Sequence, residues 1–209
     1  INIDCTSDAL EANNSISIYD GTITINTKKD GLHAEYDEDN NVGNIYIKGG
    51  TLKITASDDG IHGTTYVQID GGTIDITASE GIEGTYIQIN DGTININASD
   101  DGINAAKKST ITTPTVEING GTTTIKMGQG DSDGVDSNGN IVINGGTINV
   151  TGQSTFDYDG TGTINGGTVI CNGETVTTLP NQMMGGGQGG GQPNGGMRGN
   201  RGNMAQRMR

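Results

Sequence analysis

The sequence predicts an all-β fold, a single parallel β-helix (β-solenoid) of about seven to eight coils with three short strands per coil, followed by a Gly-rich tail. Three observations predict it. Large aromatics are nearly missing, with no Trp and one Phe in 209 residues, while 37 Gly punctuate the chain. Ile, Val and Thr, the β-branched residues that suit a pleated surface, alternate with polar residues in runs such as TITIN, IQIN and TININ. A Gly-Gly-Thr or Asp-Gly-Thr turn followed by a short strand returns at Gly21, Gly50, Gly72, Gly92, Gly121, Gly146 and Gly167, in steps of 29, 22, 20, 29, 25 and 21 residues.

One unit reads I-x-I, a GGT turn, I-x-I, an x-A-S-D turn, then G-I-x-A: three short strands separated by tight turns. Three such strands cannot enclose a core alone. Stacking each unit on the next pairs every strand with its equivalent and buries the Ile columns. A β-propeller blade needs about 40–50 residues and four longer strands, which excludes that architecture. At about 4.8 Å between neighbouring strands, the coils would build a rod roughly 35–40 Å long. The opening INIDCTSDALEA matches the second half of a unit, so the chain is expected to enter partway round a coil. Composition divides the chain into the repeat region, 1–180, and a Gly/Gln/Met/Arg-rich tail, 181–209.

Charge is divided as sharply. All 25 Asp and Glu lie between Asp4 and Glu174 with seven Lys and no Arg, a net charge of −18, whereas Arg198, Arg201, Arg207 and Arg209 crowd the tail. Such a body repels phosphate backbones, which argues against nucleic acid as a partner and favours cations. No apolar run is long enough to span a bilayer, and a start at Ile1 without initiator Met is expected of a mature or trimmed chain.

Aligning the turn after the second strand gives SDALEA, KDGLHA, DDGIHG, SEGIEG, DDGINA and SDGVDS. The first column holds Asp8, Asp30, Asp59, Glu80, Asp101 and Asp133; three residues on come Glu11, His33, His62, Glu83, Asn104 and Asp136. Asp58, Asp100 and Asp131 add further carboxylates. Stacked at strand spacing, like charges oppose pairing. Calcium, which takes six to eight oxygen ligands at about 2.3–2.6 Å, would offset the repulsion from two adjacent coils at once. The competing reading is that Asp-Gly is good turn chemistry, with solvent and salt screening the rest.

The recurrence in register of GGTI-x-I, ASDDGI-x-A and SEGIEG resembles the calcium-binding, carbohydrate-binding β-helix domains of bacterial secreted proteins, which have a pectate-lyase-like fold. The resemblance covers about Ile1 to Thr178. It implies a right-handed parallel β-helix, calcium at acidic turns, and affinity for plant-type polysaccharides such as cellulose or polygalacturonate. On this chain it implies ligands drawn from Asp58, Asp59, Glu80, Glu83, Asp100 and Asp101, with Asp30, Asn104, Asp133 and Asp136 offering equivalent positions in the columns.

Other candidates each have a plainer alternative. His33 and His62, one coil apart, could stack and bind a transition metal, against the expectation that they face solvent or neighbour a calcium. Tyr66 and Tyr86, each followed two residues later by Gln68 or Gln88, could carry a sugar ring, against an aromatic ladder that only stiffens the sheet. No nucleophile elbow, HExxH, Walker loop or dinucleotide fingerprint is present. A polysaccharide lyase with Lys28, Lys29 or Lys53 as base is the minority reading, because the body lacks an Arg to clamp a uronate. Cys5 and Cys171 stand in the first and last coils, too far apart for a disulfide, and Cys171 replaces an inward Ile. A solenoid without capping helices exposes strand edges, so head-to-tail stacking into a filament, strapped by the basic tail, is the alternative to polysaccharide binding.

Overall fold

The computed structural model describes residues 1–128 and 132–182. Asp131, and the contacts expected of the tail from residue 183 on, lie outside the described residues. Among those residues the fold is all-β, with strands arranged in two sheets and no helix, so none is long and apolar enough to cross a membrane.

A nine-stranded sheet runs from Asn2–Asp4 through Thr22–Asn26, Thr51–Thr55, Thr73–Ala78, Thr93–Ala98, Thr122–Met127 and Thr147–Thr151 to Thr168–Cys171, these eight parallel and each one repeat from the next in sequence, with an antiparallel ninth, Glu174–Val176, at the edge. A twelve-stranded sheet takes the other two segments of each repeat. In the two repeats with the shortest connections those segments fuse into the long strands Asp59–Ile69 and Glu80–Ile89. In two others the same connection is an insertion, and this is where the two 29-residue steps spend their extra length, at residues 35–43 and 106–114. The insertions meet: Ser109 Oγ and Thr110 Oγ1 donate to Asn41 Oδ1 at 3.3 and 3.4 Å.

The seven repeat glycines Gly21, Gly50, Gly72, Gly92, Gly121, Gly146 and Gly167 all have positive φ, between 74° and 118°. A Cβ at Gly50 would also stand 2.7 Å from the Gly21 carbonyl oxygen, so stacked turns leave no room for a side chain. Asparagines tie these corners together, Asn119, Asn144 and Asn165 each donating at 2.8 Å to the Asn of the previous repeat.

Inward positions form continuous apolar columns. Ile3, Ile25, Ile54, Ile76, Ile96, Ile125, Val150 and Cys171 follow one register line, so Cys171 does take an inward Ile position; both cysteines are free. A second line runs Ile23, Leu52, Ile74, Ile94, Thr123, Ile148 and Val169, and its one hydroxyl, Thr123 Oγ1, is buried without a hydrogen-bond partner.

The C-terminal end differs from the exposed edge expected. Glu174–Val176 folds back antiparallel on Thr168–Cys171. Gln182 Oε1 accepts from the Thr155 N–H at 2.7 Å, the Gln182 N–H donates to the Phe156 carbonyl at 3.0 Å, and Asn181 Nδ2 donates to the Tyr158 carbonyl at 2.9 Å. These contacts cover the edges of Thr168–Cys171 and Ser154–Tyr158 with chain rather than with a helix, while Gly162–Ile164 keeps a single neighbour.

Candidate functional site

The two columns read from the sequence lie side by side along one corner of the fold. Glu11, His33, His62, Glu83, Asn104, Asp136 and Asp157 occupy a single register line, and Asp59 pairs with Glu80 and Asp133 with Ser154 in the other. The aspartates serve the backbone as well. The N–H of Asp30 donates to Asp8 Oδ1 at 3.1 Å, that of Asp59 to Asp30 Oδ1 at 2.9 Å, and that of Asp133 to Asp101 Oδ1 at 2.9 Å. Ladder chemistry therefore accounts for one oxygen of each of these acids.

In the N-terminal half the remaining oxygens meet cations. His33 and His62 stack with ring centroids 4.9 Å apart at 14°, so the expectation that they face solvent is corrected: His62 is 4% exposed. Asp30 Oδ2 lies 2.5 Å from His33 Nδ1, and His62 Nδ1 lies 2.8 Å from both Asp59 Oδ2 and Glu83 Oε2. Lys108 Nζ stands 2.6 Å from Glu83 Oε2, and Lys29 Nζ 3.8 Å from Asp8 Oδ2. Burial works against the imidazolium of His62, but its two carboxylate partners outweigh that and raise its pKa to about 10. Burial of Glu83 is likewise overcome by His62 and Lys108, which bring it down to about 2. Asp30 is held low, its burial outweighed by His33 and the Asp59 N–H. Burial, joined by repulsion from Glu83 and Asp30, lifts Asp59 to about 6 against the pull of His62. At the seam between the halves, burial and the charges of Glu83 and Asp59 push Glu80 to about 8, against a hydrogen bond from Asn104 Nδ2 at 3.0 Å.

The C-terminal half is arranged differently. Among the described residues, Asp101, Asp136 and Asp157 take no Lys, Arg or His ion pair. Burial, with repulsion from Asp100 and Asp133, lifts Asp101 to about 6; burial, with Asp101, Asp133 and Asp157 nearby, lifts Asp136 to about 7. Carboxylate oxygens of Asp133, Asp136 and Asp157 gather within 4.8 Å of one another. The Ser154 hydroxyl, in register with Asp133, is fully buried with no hydrogen-bond partner, and so is the Asn104 side-chain oxygen.

Beside the file, Tyr66, Val67, Gln68, Tyr86, Gln88 and Thr112 line a groove of about 350 Å³. The rings are 5.9 Å apart and tilted by 48°, not stacked. Tyr86 donates its hydroxyl to Glu117 Oε2, which also accepts from Gln88 Nε2 at 3.1 Å, while Gln68 Nε2 donates to Asp70 Oδ1 at 2.8 Å. Burial and the Glu117 contact push Tyr86 up to about 12. Tyr66, 39% exposed, is the open ring.

Of the predicted ligands, Asp30, Asp58 and Asp59 converge, as do Asp59 and Glu83 with His62, and Asp133 with Asp136; Glu80, Asp101 and Asn104 line the file between them, and Asp100 is exposed and joins none of these groups. Lys53 projects from the nine-stranded sheet beside Asp75 and Lys28 is exposed, so neither lysine sits among the acids. Four residues escape the repeat pattern. Glu35, Lys108 and Thr112 arrive on the two insertions, and Asp157 belongs to STFDY, a seventh copy of the turn whose Val-Asp pair has become Phe-Asp.

A family model described as carbohydrate-binding domain-containing protein matches residues 1–129 and, again, 79–178. No curated protein and no solved structure matches the chain. The match spans well over half of the 209 residues, and the chain belongs to this family.

Proposed function

We propose, from that membership, that the chain is a non-catalytic polysaccharide-binding module, extracellular or on the cell surface, coiled as one right-handed parallel β-helix. Calcium sits in the C-terminal half of the acidic file, on Asp133, Asp136 and Asp157, with Asn104 and Ser154 as neutral oxygen donors. The glycan lies in the groove, a sugar face on Tyr66 and its hydroxyls on Gln68, Gln88 and Thr112. The observation that carries this reading is the family match over residues 1–178, a stretch containing both groove and file.

The test is retention of the full chain on insoluble cellulose and on polygalacturonate, with added calcium or with EGTA. Retention that falls at least tenfold in Tyr66→Ala, with an unchanged melting temperature, supports the groove; equal retention of variant and parent refutes it. The filament alternative keeps one favourable feature, the strand Asn2–Asp4 with a single neighbour, but at the other end Glu174–Val176 and Gln182 stand where a second copy would pair.

A further inference from the structure

We propose that His33, His62 and Glu35 form a binding site for one divalent transition ion, zinc by its chemistry. Each imidazole has its Nδ1 against a carboxylate, His33 on Asp30 and His62 on Asp59. That carboxylate–histidine pairing is the usual outer support of a metal-bound histidine, and an ion bound at Nε2 takes the place of the proton this nitrogen carries in the imidazolium. The two rings are nearly parallel, and both Nε2 atoms face one oxygen: Glu35 Oε2 is 3.7 Å from His33 Nε2 and 3.2 Å from His62 Nε2. Bonds of about 2.0–2.1 Å in a tetrahedron place ligand atoms roughly 3.3 Å apart; Glu35 Oε2 already stands near that spacing from each Nε2, and the two rings, 4.9 Å apart, turn toward one another to close the third edge.

A second observation is independent of the acids. His62 is buried at 4% exposure, and its Nε2 makes no hydrogen bond despite the nearness of Glu35. A buried nitrogen of this kind is costly unless something occupies it. Two nitrogen donors suit a borderline ion and not calcium, which takes oxygen. The fourth position opens toward a hollow of about 470 Å³ lined by Glu11, Tyr36, Asp37 and Glu38, where water can complete the shell. Because Glu35 begins the first insertion, an ion here pins that loop to two adjacent strands. The site is separate from the proposed calcium ligands and does not depend on the glycan reading.

The experiment strips the full chain with EDTA and titrates it with Co²⁺ in millimolar calcium, following visible absorption and then displacement by Zn²⁺. The expected result is one Co²⁺ per chain in a nitrogen-containing, low-symmetry environment, displaced by one Zn²⁺ and insensitive to calcium. His33→Gln and Glu35→Gln, both away from the apolar columns, each weaken it at least tenfold, while Asp136→Asn leaves it unchanged. A rise in melting temperature on adding Zn²⁺ that is lost in Glu35→Gln supports the loop-pinning role. No stoichiometric complex at a molar excess of Co²⁺, or a complex of equal affinity in His33→Gln and Glu35→Gln, overturns the proposal.

Discussion

The two halves of the acidic file share one repeat, one register and one backbone hydrogen-bond pattern, yet they meet their charge in opposite ways. From Asp8 to Glu83, four carboxylates, Asp8, Asp30, Asp59 and Glu83, are answered by Lys29, His33, His62 and Lys108. From Asp101 to Asp157 no protein cation answers Asp101, Asp136 or Asp157 among the described residues. The repeat supplies carboxylates to every strand of the ladder, and only departures from it supply the cations: histidines replacing acids in the second column, and a lysine on an insertion. In the other half the departures, Asn104 and Ser154, are neutral, which is why calcium is proposed there.

The largest expected effect breaks the compensated half. His62→Gln leaves Asp59 and Glu83, both buried, without their shared cation. Removing one partner of a buried ion pair costs about 3–5 kcal/mol, which should lower the melting temperature by roughly 6–20 °C in a chain of this size. Lys108→Met, whose lysine is partly exposed, should cost less, about 1–2 kcal/mol. Equal, small losses in both variants would contradict the compensated picture.

Next comes pH, measured as unfolding free energy without divalent ions. Asp101 and Asp136 have folded pKa values of about 6 and about 7 against 3.8, so the folded state binds protons more tightly than the unfolded chain. Their effect is a loss of stability as pH rises from about 4 to 7. In the compensated half Asp59 and Glu80, raised to about 6 and about 8, add to that decline, while two other groups have the opposite signs. Glu83, lowered to about 2 from 4.5, contributes stability present above pH 4.5 and lost toward pH 2; His62, raised to about 10 from 6.5, contributes stability present below pH 6.5 and lost toward pH 10. Asp136→Asn should flatten the decline between pH 4 and 7 while leaving the alkaline loss in place.

The smallest effect lies outside the file and serves as its control. Thr123→Val removes a buried hydroxyl that has no partner from an otherwise apolar column. It should stabilise by about 1 kcal/mol, roughly 2–4 °C, with no change in the response to calcium or pH.

How much of this was legible follows from where the period holds. The turn glycines, the inward place of Cys171 and both columns could be read because each repeats in register, and the structure places all seven glycines at positive φ. Glu35, Lys108 and Thr112 could not, because insertions have no repeat to align with and their reach depends on how each loop folds over the corner. Asp157 was hidden by the loss of its turn glycine and the replacement of the column acid by Ser154. The stacking of His33 on His62 followed from register, but the burial of His62 did not, since Glu35 and Lys108 close over it from the insertions. The return strand Glu174–Val176 carries no repeat signature, and so the C-terminal edge read as open.

The most direct test of the cation-dependent half is thermal unfolding of EDTA-stripped protein with and without added calcium, in the parent chain and in the Asp136→Asn, Asp157→Asn double variant. The account predicts that calcium at about a hundred times its dissociation constant adds about 2.7 kcal/mol to the parent, a rise of roughly 5–10 °C. The variant, whose calcium-free form should melt higher than the calcium-free parent, gains nothing. A parent indifferent to calcium, or an equal gain in the variant, would contradict it.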